Sequence, residues 1–152
     1  MFEHAGQPHR CSHRWPHAPY RYHYDLLIRP YPLQQYHLLN YPLVGRRLLT
    51  YYLQRTGWLC EGSVGTFSEA MLESVLGNRD AILFLHLPDP DDNDLPGSFR
   101  DALCQHPAVI VTSPYPAHLF NWLPFRPFAF MTEPFSYDQF AACLEKYVAV
   151  FG

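Results

Sequence analysis

The residues of this chain whose type and place could support chemistry are its histidines, its carboxylates and Ser113. His4, His9, His13, His17 and His23 are spread among prolines and tyrosines in the first 34 or so residues. Neutral imidazoles ligate zinc, nickel or copper, and His9, His13 and His17 have helical i, i+4 spacing, but Pro16 interrupts the helix that would align them. No metal site is expected there. The loop Asp89-Pro90-Asp91-Asp92-Asn93-Asp94 offers oxygen ligands at alternating positions, as calcium loops do. Asp94 stands where such a loop needs glycine and Arg100 where it needs a bidentate glutamate, so a solvated acidic turn is expected instead. His86 has a nucleophilic ring, but its ordinary role would be a polar residue at the sheet edge, hydrogen-bonded to Glu133. Ser113 lies in no G-x-S-x-G elbow and has no histidine and acid placed to activate it. Gly62-Ser63-Val64-Gly65 is too short to cradle a phosphate and is expected to follow a strand as a loop.

Composition narrows the classes further. A formal charge of -3 gives no clustered basic excess, so direct nucleic-acid binding is not expected. No apolar run reaches the roughly 20 residues of a membrane span, and the opening segment lacks the apolar stretch of a signal peptide; a cytoplasmic protein is expected. Cys11, Cys60, Cys104 and Cys143 form no CxxC pair, which points to buried free thiols. Lys146 is the only lysine among eleven basic residues.

The elements that must position these residues alternate from Gln35 onward, after a poorly ordered extension over residues 1–34. Tyr36 to Asn40 reads as a strand, and a helix then runs from Pro42 to a stop at Gly57. Trp58 to Glu61 reads as a second strand, and Thr66 with Glu69 fits a capping box for a helix ending near Gly77. Ala81 to Leu85 and Ala108 to Thr112 are continuous apolar runs, the mark of strands covered on both faces. A helix over Ser98 to Gln105 lies between them. A proline-interrupted helical stretch from Tyr115 to Leu123 follows, then a strand over Phe128 to Thr132 and a closing helix from Ser136 to Val148. Strand and helix alternating in this way imply an α/β, doubly wound, five-stranded parallel sheet of flavodoxin-like order 2-1-3-4-5, over residues 35–152.

Three motifs in this order resemble response-regulator receiver (CheY-like) domains, with a flavour nearest the LytTR class. Ala81 to Pro90 is similar to the third strand and its loop, with Pro90 four residues past His86. Pro107 to Ser113 resembles the fourth strand. Phe130-Met131-Thr132-Glu133-Pro134-Phe135-Ser136 resembles the stretch in which a lysine and a cis-proline precede the last helix. The resemblance implies an acceptor aspartate at His86, an acidic pair at Leu39 and Asn40, and a lysine at Glu133. It also implies a hydroxyl at Ser113 and a switch aromatic at Phe130. Only the hydroxyl and the aromatic are present. Magnesium requires oxygen ligands and a phosphoryl group requires a counter-charge, so a degenerate phosphorylation site is expected. No aspartate or glutamate occurs between Leu26 and Cys60, which makes the missing acidic pair independent of alignment register.

Phe120, Trp122, Phe125, Phe128 and Tyr137 are expected to form an interface for a homodimer or a protein partner on the face made by the fourth helix, fifth strand and fifth helix. The functional expectation is a stand-alone pseudo-receiver in two-component signal transduction, not an enzyme, without cofactor or metal, working through protein contact. Two alternatives stay open. One is a conventional phosphorelay receiver with His86 or Asp89 as an unusual acceptor; the other is a small-ligand sensor in the same crevice, with a pocket near His86 and Ser113.

Overall fold

Parallel strands require crossovers, and in the computed structural model each apolar run of this chain is followed by one. Residues 33–92 and 94–152 are described. The order is β1 (Gln34–Leu39), α1 (Leu43–Thr56), β2 (Leu59–Gly65), α2 (Glu69–Gly77), β3 (Ile82–His86), α3 (Gly97–Gln105) and β4 (Val109–Ser113). A 3-10 turn (Ala117–Phe120), β5 (Ala129–Thr132) and α4 (Tyr137–Phe151) complete it. All pairings are parallel, in the sheet order β2-β1-β3-β4-β5, as the alternation of elements requires. The histidine tract and the proposed disorder of the extension fall outside the described residues, apart from Leu33 and Gln34, the latter already the first residue of β1.

Strand alternation divides the core between the two faces of the sheet. Leu38, Ile82, Phe84 and Ile110 meet Leu49 and Leu53 of α1 and Phe140 and Leu144 of α4. Leu39, Leu83, Leu85, Val109 and Val111 meet Met71 and Val75 of α2 and Phe99 and Leu103 of α3 on the other face. β3 and β4 are buried throughout, which is why their sequences show no polar alternation.

Helix ends follow side-chain chemistry. Gly57 takes the left-handed conformation, φ 82°, that closes α1. α2 is capped by Ser68, whose hydroxyl accepts the Met71 amide; the expected box from Thr66 does not form, because Ser68 is one residue before the helix and Thr66 is three. α4 begins with a complete capping box between Ser136 and Gln139.

The structure corrects the sequence reading elsewhere. Gly62-Ser63-Val64-Gly65 is not a loop after β2 but its second half, reached through a bulge opposite His37 where the register shifts between Tyr36 and Leu38. The Ser63 amide left over by the bulge donates to His37 Nδ1 at 2.9 Å. A side chain at Gly62 would collide with that same ring: a Cβ there would lie 2.6 Å from His37 Nδ1. The helical stretch over 115–123 shrinks to the 3-10 turn, since Pro114, Pro116, Pro124 and Pro127 leave too little chain free for an α-helix. Cys143 is a buried free thiol as expected, but Cys104 is free and exposed, and Cys60 is disulfide-bonded.

Candidate functional site

The carboxyl ends of the strands bring together most of the residues singled out by the sequence. Leu39 ends β1 and is fully buried in the core, so it offers no ligand atom. Asn40 follows with φ 68°, a conformation asparagine tolerates better than most residues, and its Nδ2 donates to the His86 carbonyl at 3.1 Å. This bond ties the β1 end to the β3 end. His86 ends β3 and is buried; its Nδ1 lies 3.2 Å from Glu133 Oε2 without making a hydrogen bond to it. Glu133 follows β5, its amide donates to the Ser113 carbonyl at 2.7 Å, and the Glu133–Pro134 peptide is cis.

Two residues that sequence reasoning missed complete the crevice. The Tyr41 ring lies 5.1 Å, centroid to centroid, from the His86 ring, and its hydroxyl shares a 2.7 Å hydrogen bond with Thr112 Oγ1. Burial, opposed by the Thr112 hydrogen bond and aided by the nearby Glu133 charge, pushes the Tyr41 phenol far above its ordinary range, so it stays neutral. Thr112 is the register partner of His86 in the β3–β4 ladder. Because successive side chains of a strand point to opposite faces, Thr112 shares the His86 side and Ser113 does not. The Ser113 hydroxyl instead accepts the Tyr115 amide at 3.0 Å. The hydroxyl of this crevice therefore belongs to Thr112, and the two-residue period of the strand could have shown it. Both hydroxyls are wholly buried and engaged, so neither is free to meet a ligand.

No known protein family matches the sequence, and no curated protein matches it. Among solved structures, the chain is similar to a response regulator CheY-like protein from Mesorhizobium loti, at a TM-score of 0.56 and 13% identity. The match covers 74% of this chain and 97% of that one. The fold is CheY-like.

In this CheY-like sheet the other predicted positions separate. Asp89 lies in the exposed turn beyond β3, where its carboxylate accepts the Asp91 amide at 2.9 Å. Phe130 in β5 is half-buried and contacts the Phe120 ring at 5.6 Å. Phe120 is itself buried core and cannot serve as interface, which corrects that expectation. Trp122 and Phe125 pack on the α2 and α3 side, and the Trp122 indole donates to the Pro90 carbonyl at 2.9 Å. Phe128 and Tyr137 pack on the opposite side with α1 and α4. The five aromatics thus do not form one patch, and the fourth helix of the expected face is only a 3-10 turn.

Lys146 sits far from the crevice, on α4, with Nζ 3.4 Å from the Phe128 carbonyl. Two cavities of about 440 and 410 Å³ lie elsewhere among the described residues: one is lined by Gln35, His37, Ser63, Ser74 and Asn78, the other by Arg46, Arg47, Tyr51 and Glu61. No group of three or more metal-ligating side chains occurs among the described residues. Among them, too, no helix is long and apolar enough to cross a membrane.

Proposed function

We propose that this chain is a receiver-like signalling domain, of LytTR flavour, that acts through protein contact without phosphoryl transfer and is not an enzyme. The observation that carries the reading is the state of the crevice: His86 at the end of β3 is buried beneath Tyr41 and set against Glu133. An imidazole has no carboxylate to form an acyl phosphate, and a glutamate beside it repels the dianion that phosphorylation would install. The Thr112 hydroxyl, which could otherwise meet a phosphoryl oxygen, is taken by Tyr41. The CheY-like fold and the three ordered sequence motifs support the receiver part of the proposal. Protein contact is the role left to such a domain once the phosphoryl chemistry is gone.

Beryllofluoride with magnesium mimics a phosphorylated carboxylate and tests the proposal directly. Titrated into isotopically labelled protein, it is expected to leave the amide resonances of Asn40, His86, Thr112 and Glu133 unmoved. Saturable shifts at those positions would overturn the reading in favour of a working acceptor.

A further inference from the structure

Away from the crevice, β1, β2 and the end of α2 enclose the cavity of about 440 Å³, a size within the roughly 300–1,000 Å³ of small-molecule pockets. Gln35 and His37 are two apart on one face of β1, and Ser74 and Asn78 are four apart at the end of α2, so each element turns two polar side chains to the same side. Ser63 enters from the bulge of β2, a device that re-aims a side chain. Among the described residues no aliphatic or charged side chain lines the cavity, and Gly62 and Gly77 add only backbone. His37 is the unusual member. It is 3% exposed, and its Nδ1 accepts the Ser63 amide, so its proton sits on Nε2, which is buried with no hydrogen-bond partner. The ring is neutral: burial lowers its pKa, and the Ser74 carbonyl, near enough to oppose that but making no hydrogen bond, does not restore it. A protonated ring nitrogen has no lone pair for a metal, so what the site lacks is a hydrogen-bond acceptor.

We propose that this cavity binds a neutral, hydroxyl-rich small molecule, a monosaccharide or a cyclic polyol. The proposal stands apart from the receiver reading and does not rest on it. The groups left open are of both kinds. His37 Nε2–H is one donor, and because the Asn78 amide donates to Gln35 Oε1, the Gln35 amide nitrogen is a second. The Ser63 hydroxyl donates to Ser74 Oγ at 2.7 Å, and Ser74 in turn donates to the Ala70 carbonyl at 3.3 Å, so Ser63 Oγ keeps its lone pairs as an acceptor. A hydroxyl accepts and donates at once, and neighbouring hydroxyls on a ring can meet such a mixed set together. Charge and shape set this class apart from others. The lining offers no counter-charge to a carboxylate or phosphate, and the last carbonyls of α2 present the negative end of that helix. No phenyl or indole ring lines the cavity as a stacking platform for a nucleobase.

Nuclear magnetic resonance on the isotopically labelled full chain tests the proposal, with glucose and myo-inositol as neutral probes and gluconate as an anionic one. At least one neutral probe is expected to give saturable shifts at the Gln35 and Asn78 side-chain amides and at His37 Nε2, with a Kd on the order of 1 mM for so small a ligand. Gluconate is expected to bind more weakly or not at all. Two variants locate the site. Gly77→Trp, at a position where a new Cβ would meet nothing within 4 Å, should fill the cavity and abolish the shifts with the thermal melt unchanged. Ser63→Ala removes the acceptor and should weaken binding by about fivefold. Saturation by neither neutral probe would overturn the proposal. So would gluconate binding as tightly as glucose, shifts that spare these three side chains, or undiminished binding by a folded Gly77→Trp. If Gly77→Trp fails to fold, Ser63→Ala decides: unchanged affinity counts against the site and the expected weakening supports it.

Discussion

Acidification should destabilise this protein through His106, and the size of the effect can be worked from its surroundings. His106 follows α3, is 8% exposed, and accepts the Ala108 amide on Nδ1 at 3.2 Å. Its proton therefore sits on Nε2, which has no hydrogen-bond partner. Charging the ring would cost that acceptor and leave a buried cation. Burial, then the neighbouring His37 and Arg79, lower its pKa from 6.5 to about 4, with the contact to the Ala108 backbone and then Asp80 pulling the other way. In the unfolded chain the ring takes its proton near pH 6.5, and in the folded protein only near pH 4. Between those values the unfolded state binds more protons, so stability is full above the window, falls as pH drops through it, and levels off below it. The displacement from 6.5 to about 4 corresponds to about 3 kcal/mol. His37, also buried and also lowered by burial with the Ser74 carbonyl opposing, adds loss of the same sign. His106→Asn isolates the effect, since an asparagine oxygen can accept the amide two residues on but does not titrate. Urea unfolding above, within and below the window should show the wild type losing about 3 kcal/mol more than the variant. Parallel stability curves for the two proteins would refute the reasoning.

Gly62→Ala should destabilise the fold by about 1–3 kcal/mol, because the new Cβ would lie 2.6 Å from His37 Nδ1 and 2.9 Å from the Tyr36 carbonyl oxygen. Adding His37→Ala should recover part of that loss in a thermal-melt cycle, and strict additivity would show that the ring is not the obstacle. The two free thiols should differ in reactivity: burial pushes Cys143 up to about 11, with Lys146 pulling it down, whereas Cys104 is exposed. Alkylation of the native protein followed by peptide mapping should mark Cys104 and spare Cys143 until denaturant is added; early modification of Cys143 would contradict its placement.

The sheet order was legible because β3 and β4 are unbroken apolar runs and because helix ends such as Gly57 after α1 and Ser136 before α4 carry their own signals. Composition sees those features directly. It does not see the bulge in β2, whose cause is a distant side chain: His37 supplies the acceptor that lets Ser63 leave the ladder, and Gly62 makes room for the ring. A glycine followed by a serine reads as a loop until that ring is in place. The same limit explains the crevice. His86 and Glu133 were found because each sits at a motif position, and the structure brings them within 3.2 Å. Tyr41 matches no motif, yet it closes the site, and Thr112 was passed over for Ser113 because a motif counts positions along a strand, not sides of it. The strand period decides between them: with His86 paired to Thr112, an odd step to Ser113 carries its hydroxyl through the sheet to the other face. The hydroxyl on the His86 side of the sheet is hydrogen-bonded to Tyr41, whose ring lies against His86, so the two residues that the motifs passed over are the ones that fill the crevice.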